Sequence, residues 1–350
     1  MTDRSTVPVL TVLMPVRNEE QHVVTAVRSV LAQQIDAEVL VIDGRSTDRT
    51  VELVKEIGDP RVRVLDNPKR TIPAALNVGL AEARGEFVAR VDAHAHVSID
   101  YLVRGEQALR ADPEVAAIGG LRQGIAETAP GRAIAMALSS RFGVGNSLNH
   151  YAQEPQDSDH TSFGVYRAEV ARDVGGWDET LLVNEDMDFD HRIALRGHRL
   201  RFDPQMIIFW QVRENLRDFG RQYRRYGRGK AAMVRKNGRS AVRARHLAAP
   251  ALVGALGLAA AAALSGHPRI AATLAAPYVI GVAGATAVTL RSDESGEVRP
   301  ATLAAAFVTM HLTWGLGFLE GLTLRLPPVS GSIRDPEPTS PPQDAGAVND

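Results

Sequence analysis

Asp92, His94 and His96 recur at alternate positions in "VARVDAHAHV" (88–97), so on one extended strand they would share a face. Two chemistries use such a set. One is the Asp-x-His-x-His entrance of a zinc-type hydrolase. The other is a carboxylate site that clamps a nucleotide diphosphate through a divalent ion. The plain alternative is three polar side chains on the solvated face of an edge strand. A second group, Glu185, Asp186, Asp188 and Asp190, crowds into "NEDMDFDHRI". The helix macrodipole favours acids in a first turn, which accounts for one or two of them more readily than for four. Crowded carboxylates repel, and repulsion raises one pKa toward the range of a general base. A third stretch, "RQYRRYGRGK" (221–230), interleaves aromatics with arginines. It reads either as a collar for anionic lipid headgroups or as a set of cations for a diphosphate.

The elements around these groups alternate. "VPVLTVLMPV" is a buried strand ending at Pro15, followed by a helix with Val23, Val27, Val30 and Leu31 on its apolar face. "AEVLVID" is a strand that stops at Asp43, and "STDRTVELVKEI" is a helix capped by Ser46 or Thr47. "RVRVLDN", "TIPAALNVGLAEA" and "EFVARVDAHA" continue as strand, helix, strand. Such alternation predicts an α/β fold with a doubly wound, mostly parallel sheet, whose ligands bind at the carboxyl ends of the strands. Asp43 and Asp92 stand at two such ends. A barrel hydrolase would carry its His-x-His on the first strand, whereas three strand–helix units precede it here. "SSRFGVGNSLNH" with "YAQEPQDSDH" reads as a long, flexible loop of the kind that covers active sites.

The 350 residues carry a net charge of -1, which gives no field for nucleic acid, and no cysteine, which excludes disulfides and thiolate zinc sites. The start, "MTDRSTVPVLTV", has no signal-peptide pattern. Between Arg213 and His246 a dozen Lys and Arg residues meet only Glu214 and Asp218. Apolar runs then follow at 247–265, 270–290 and 301–323, each near the ~20 residues that a helix needs to cross a bilayer. The last includes His311 and Glu320. The positive-inside rule puts residues 1–246 on the cytoplasmic side of a multi-pass plasma-membrane protein. Residues 247–325 form the membrane region. Three full spans would put the Pro-rich tail at 326–350, read as disordered, outside.

Together these stretches resemble the family 2 glycosyltransferases, inverting enzymes of the GT-A fold, from about Val9 to Lys230. The likeness is strongest to membrane-bound members that extend lipid-linked exopolysaccharide repeats. "LMPVRNEE" resembles the first-strand motif, which implies that Pro15, Arg17 and Glu19 border the nucleoside. "DGRSTD" resembles the second, with Asp43 on the uracil and Arg45 where glycine is commoner. "DAHA" falls at the metal motif, implying Asp92 and His94 as ligands of Mn²⁺ or Mg²⁺, with His96 left over. "NEDMDFDHRI" resembles the Glu-Asp motif, Glu185 and Asp186, with Asp186 as catalytic base. "QYRRY" resembles the Gln-x-x-Arg-Trp motif at Gln222 and Arg225, Tyr226 replacing tryptophan, and "SFGVYR" resembles the turn that approaches the donor sugar. The resemblance implies a nucleotide-diphosphate sugar donor such as UDP-glucose, a polyprenyl-diphosphate-linked acceptor, and other glycan-assembly proteins as partners. Direct transfer to polyprenyl phosphate, the metal-dependent hydrolase, and a non-catalytic sugar-nucleotide binder stand as alternatives.

Overall fold

A computed structural model describes residues 7–293 and 296–323. Residues 326–350, the expected disordered tail, lie outside the described residues. The apolar runs become strands β1 Leu10–Val16, β2 Ala37–Asp43, β3 Val62–Asp66 and β4 Phe87–Arg90, separated by helices α1 Val23–Leu31, α2 Thr50–Glu56 and α3 Ile72–Glu82. After β4 the chain turns, and β5 Ala95–Val97 is a separate short strand. Helix α4 Tyr101–Ala111, strand β6 Val115–Ile125 and helices α5 Ala129–Leu138 and α6 Arg141–Val144 follow. Strands β7 Gln156–Asp157 and β8 Val165–Arg167 lead to α7 Ala168–Asp173, α8 Glu185–Leu195, β9 Arg199–Gln211 and α9 Leu216–Asn237. The last three helices are α10 Arg245–Leu264, α11 Pro268–Thr289 and α12 Pro300–Thr323.

The sheet runs β3-β2-β1-β4-β8-β6-β9-β5, with β7 beside β9. Its first four strands are parallel, as the alternation predicts; β8 then enters antiparallel to both β4 and β6, so the second half is mixed. Val16 pairs with Asp43, and Asp43 with Asp66, so the carboxyl ends of β1, β2 and β3 lie in one row. Leu10, Val12, Met14, Val39 and Val41 on the β1–β2 core face are fully buried, as a parallel sheet covered on both faces requires.

Three local expectations change. Ser46 and Thr47 do not cap α2; Ser46 bonds to Asp43 in the preceding loop instead, and Asp48 Oδ1 accepts the Thr50 amide at 3.0 Å. The sequence pattern carries the helix after Asp186 through "DFDHRIALRGHRL", but it ends at Leu195, because Gly197 adopts a left-handed turn and Arg199 begins β9. The long segment from Ser139 to His160 is not one open loop. It contains α6, a turn at Leu148–His150 and β7, and Phe142 packs edge-on against Phe307 at 5.3 Å.

Helices α10, α11 and α12 are each long and apolar enough to cross a membrane. The first two expose most of their apolar surface, whereas α12 lies along α9. Glycines let the two backbones touch: a Cβ on Gly227 would meet Trp314 O at 2.1 Å, and one on Gly317 would meet Arg224 O at 2.1 Å. Glu320 is held by Arg224 and Arg228, the latter at 2.8 Å. Near the start of α12, Leu303 and Phe307 are fully buried in the core that the sheet and its helices form. His311 donates to Phe142 O at 2.9 Å and accepts from the Tyr278 hydroxyl at 3.1 Å. Both ends of α12 therefore rest on the α/β part of the chain and on α9, a helix too charged to enter a bilayer. In sealed vesicles of this cysteine-free chain, single Lys55→Cys and Thr323→Cys variants are expected to react with an impermeant maleimide from the same side. Protection of Thr323→Cys where Lys55→Cys reacts would mean that α12 crosses.

Candidate active site

The site is built around Arg90, the last residue of β4. Its guanidinium, 9 % exposed, donates to both oxygens of Asp92 at 2.7 and 3.0 Å and to Glu185 Oε1 at 3.0 Å. Asp92 thus lies in the turn after β4, not on a strand, and the three polar residues of "DAHAH" are split. His94 stays in the turn with Nδ1 3.6 Å from Glu19 Oε1, while His96 moves onto β5 and stacks on Phe209 at 4.9 Å. Among the described residues no three His, Asp or Glu side chains form a group able to hold a metal, and His96 stands apart from Asp92 and His94.

Asp92 and His94 still suit a divalent ion whose remaining ligands are phosphate oxygens. An ionised carboxylate has about four lone-pair sites, and Arg90 takes two of them. Burial opposes charge on Asp92, but Arg90 overrides it and keeps the pKa below the usual carboxylate range. For His94, burial is outweighed by the Glu19 hydrogen bond and the Asp92 charge, and its pKa rises.

The nucleoside side is a pair of interlocked loops. Asp43 Oδ1 accepts the Ser46 hydroxyl at 2.6 Å, Ser46 Oγ accepts the Asn18 amide at 2.9 Å, and Asn18 Oδ1 accepts the Thr47 amide at 2.8 Å. Asn18 and Arg45 both have left-handed φ, 54° and 61°. Arg45 thus occupies a conformation that glycine would adopt at no steric cost, and it folds over Asp66 at 3.3 Å. Pro15 lies in β1 and pairs with Ile42, Val16 ends the strand beside Asp43, and Arg17 and Glu19 follow. Among the described residues the buried Nε atoms of Arg17, Arg122 and Arg225 have no hydrogen-bond partner. An anionic donor would satisfy such orphans.

The four acids separate by role. Asp190, fully buried, accepts from Thr161 N at 2.7 Å and from Tyr166 OH at 3.2 Å. Asp188, also fully buried, accepts from Arg192 at 2.7 Å and Asn237 at 2.6 Å. Glu185 faces Arg90. Only Asp186 is spare: its Oδ1 accepts the Met187 amide at 2.7 Å, and its side chain is 32 % exposed. Asn184, with φ 61°, turns the chain into α8, and its side chain donates to Tyr226 O at 3.2 Å. That bond brings the "QYRRY" turn of α9 against the start of α8. Gln222 there donates to Tyr226 OH at 3.0 Å, and Arg225 lies 6.0 Å from the Tyr226 ring.

Three site residues have no sequence signature. They are Arg90, Arg122 and His160. Arg122 stacks 4.1 Å over Trp210, and its charge acts on both Asp92 and Asp186. His160 sits between two acids, with Nδ1 2.7 Å from Asp190 and Nε2 3.7 Å from Asp186. Burial opposes its charge, but the Asp190 hydrogen bond and the Asp186 charge raise its pKa. For Asp186, burial is overcome by the positive charges of His160, Arg90 and Arg122, and its pKa falls. Glu185 goes the other way, raised by burial and by Asp186 against the pull of Arg90. The pair is thereby divided into an ionised Asp186 and a proton-prone Glu185. Removing the His160 charge must raise the Asp186 pKa. In His160→Gln the acidic limb of kcat/KM is expected to move to higher pH, and an unmoved limb would show that His160 does not tune Asp186.

The family model described as glycosyl transferase family 2 matches residues 11–175. Succinoglycan biosynthesis protein ExoA of Rhizobium meliloti (strain 1021) is 31 % identical over 324 residues, covering 89 % of this chain and 94 % of that one. A dolichyl N-acetyl-alpha-D-glucosaminyl phosphate diacetamido-dideoxy-glucuronosyltransferase of Methanococcus voltae is 25 % identical, over 65 % of this chain and 74 % of its own length. Among solved structures, the mannosyltransferase PcManGT of Pyrobaculum calidifontis, in complex with GDP-Man and Mn²⁺, superposes with a TM-score of 0.62 at 23 % identity, covering 88 % of each chain. That likeness extends to the fold.

Proposed function

This chain belongs to glycosyl transferase family 2, and from that premise we propose that it moves a sugar from a nucleotide-diphosphate sugar to a hydroxyl of a lipid-linked saccharide, with inversion, in the assembly of an exopolysaccharide. The observation that carries this reading is the bridge from Arg90 to Asp92 and Glu185, which joins a diphosphate-binding turn to the helix that begins with Asp186. The donor we assign is a UDP-hexose such as UDP-glucose. Support for a sugar-nucleotide donor comes from the fold shared with a mannosyltransferase solved with GDP-Man and Mn²⁺. Support for the pathway comes from the 31 % identity to a succinoglycan biosynthesis protein.

In this mechanism the nucleoside lies along Pro15, Arg17, Glu19 and Asp43, and the diphosphate reaches toward Asp92. Asp92 and His94 would hold a divalent ion, Mn²⁺ or Mg²⁺, whose charge would offset that gathering on the leaving diphosphate. Arg122 and Arg225, each with a buried unsatisfied Nε, supply further positive charge to the same oxygens. Gln222 and Tyr226 border the sugar. Asp186, ionised at neutral pH, takes the proton from the acceptor hydroxyl as that oxygen attacks the anomeric carbon. Glu185 holds Arg90 and so positions both ends of the reaction. The catalytic domain faces the cytoplasm, where sugar nucleotides are made, on the strength of the basic stretch before α10.

Nucleotide binding and sugar transfer by the full-length protein in detergent, against a panel of UDP-, GDP- and dTDP-sugars, tests this directly. Asp186→Asn should keep donor affinity and lose about 10²–10⁴ in kcat, the usual contribution of a general base. Asp92→Ala should lose metal-dependent donor binding itself. A protein that binds no sugar nucleotide, or an Asp186→Asn variant with undiminished turnover, contradicts the reading.

A further inference from the structure

Lys230, in the middle of α9, is 3 % exposed, yet the polar partner of its Nζ is the thioether of Met233, 3.3 Å away. Among the described residues no carboxylate lies within ion-pair distance of it. A buried ammonium without a counter-charge is expensive, and such groups are rare unless a ligand completes them. Lys230 lines a cleft together with Arg243, Arg245, His191, Ser240 and Met187. One acid, Asp159, also lines it, and it is already taken, by Arg245 at 2.7 Å and Arg243 at 3.6 Å. Three cations therefore face one carboxylate. Burial, with the charge of Arg245 next, pushes the Lys230 ammonium down to about 8.

The place of the cleft in the fold identifies its ligand. One wall is Met187, the residue after the base. Another is Arg245, the first residue of α10, whose next nineteen positions form an apolar helix. An anion held here has the bilayer-facing helix on one side and Met187, one residue after Asp186, on the other.

We infer that the cleft between Lys230, Arg243 and Arg245 binds a phosphate ester carried on a membrane lipid, and that this ester is the phosphate of the lipid-linked acceptor, seated so that the attached sugar reaches Asp186. The inference deepens the transferase reading and rests on it for the identity of the lipid. Lys230 donates to a phosphate oxygen in place of Met233, while Arg243 turns from Asp159 toward it. The charged and titratable groups that face Lys230 are Arg245, Arg243, Asp159 and Asp186, with His191 and His246 also lining the cleft. Lys230 is the one among them that loses its proton in the alkaline range, so the affinity falls as pH is raised above about 8.

The test uses the full-length protein in phosphatidylcholine nanodiscs. Binding of undecaprenyl diphosphate is measured for the wild type, Lys230→Met and Arg243→Gln, with phosphatidylglycerol as competitor and UDP with Mn²⁺ as a second ligand. Arg243 is half exposed, so its substitution leaves the core intact. The expected result is affinity about tenfold weaker in each variant, the scale of one lost charge-assisted hydrogen bond. UDP affinity should be unchanged, phosphatidylglycerol should not compete, and the alkaline fall should vanish in Lys230→Met. Undiminished lipid affinity in both variants overturns the inference. Competition by phosphatidylglycerol also overturns it, making the cleft a general headgroup site, and so does parallel loss of UDP affinity, which would assign the cleft to the donor. Failure of UDP to bind the wild type would instead contradict the transferase reading, and the lipid measurements would still decide the cleft.

Discussion

Arg90 sits where β4 ends, and its guanidinium, almost wholly buried, holds two carboxylates that the sequence separates by more than ninety positions. Burying three charges costs several kcal/mol per ion in lost hydration, which only a closely matched geometry offsets. The bidentate grip on Asp92 and the single bond to Glu185 supply that geometry. Loss of the arginine would strand two buried acids, a defect worth about 3–5 kcal/mol. Two parts of the site hang from this contact. Asp92 is kept ionised and aimed out of the turn, and α8 is drawn against the sheet so that its second residue, Asp186, faces the same space.

Local strain serves the same end. Asn18, Arg45, Phe163 and Asn184 all adopt left-handed backbone conformations, and each stands in a loop that carries a site motif. At Asn184 the turn lets α8 begin abruptly, with its acids in the first turn, where the helix dipole favours them. Asp188 and Asp190 then spend their charge on the scaffold, binding Arg192, Asn237, Thr161 and Tyr166. Asp186 is spared that duty, and His160, locked by Asp190, sets its charge state.

Much of this was legible in the residues. The parallel half of the sheet follows from apolar runs and helical spacing, and the positions of Asp43 and Asp92 follow from the sheet. The spacing of "DAHAH" misled, because alternation implies one strand only where the chain stays extended, and here it turns after Arg90. The order of the second half was hidden, since β8 is three residues long and owes its place to partners on both sides. Arg90, Arg122 and His160 could not be picked from the arginines and histidines of the chain, because each is defined by what it touches across the fold. For the same reason the packing of α12 along α9 was invisible to composition. Its run is apolar enough for a membrane, but Gly317, Glu320 and Gly321 meet glycine, arginine and alanine on a neighbour.

The proposed transfer is one displacement at the anomeric carbon, driven by a single ionised base. The most direct measurement is the anomeric configuration of the glycosidic bond in the transferred product, read by proton NMR from an α-linked nucleotide-hexose donor. A β-linked product is the result predicted when Asp186 activates the acceptor on the face opposite the diphosphate. An α-linked product would require a second displacement or attack from the same face, and would contradict the role given to Asp186.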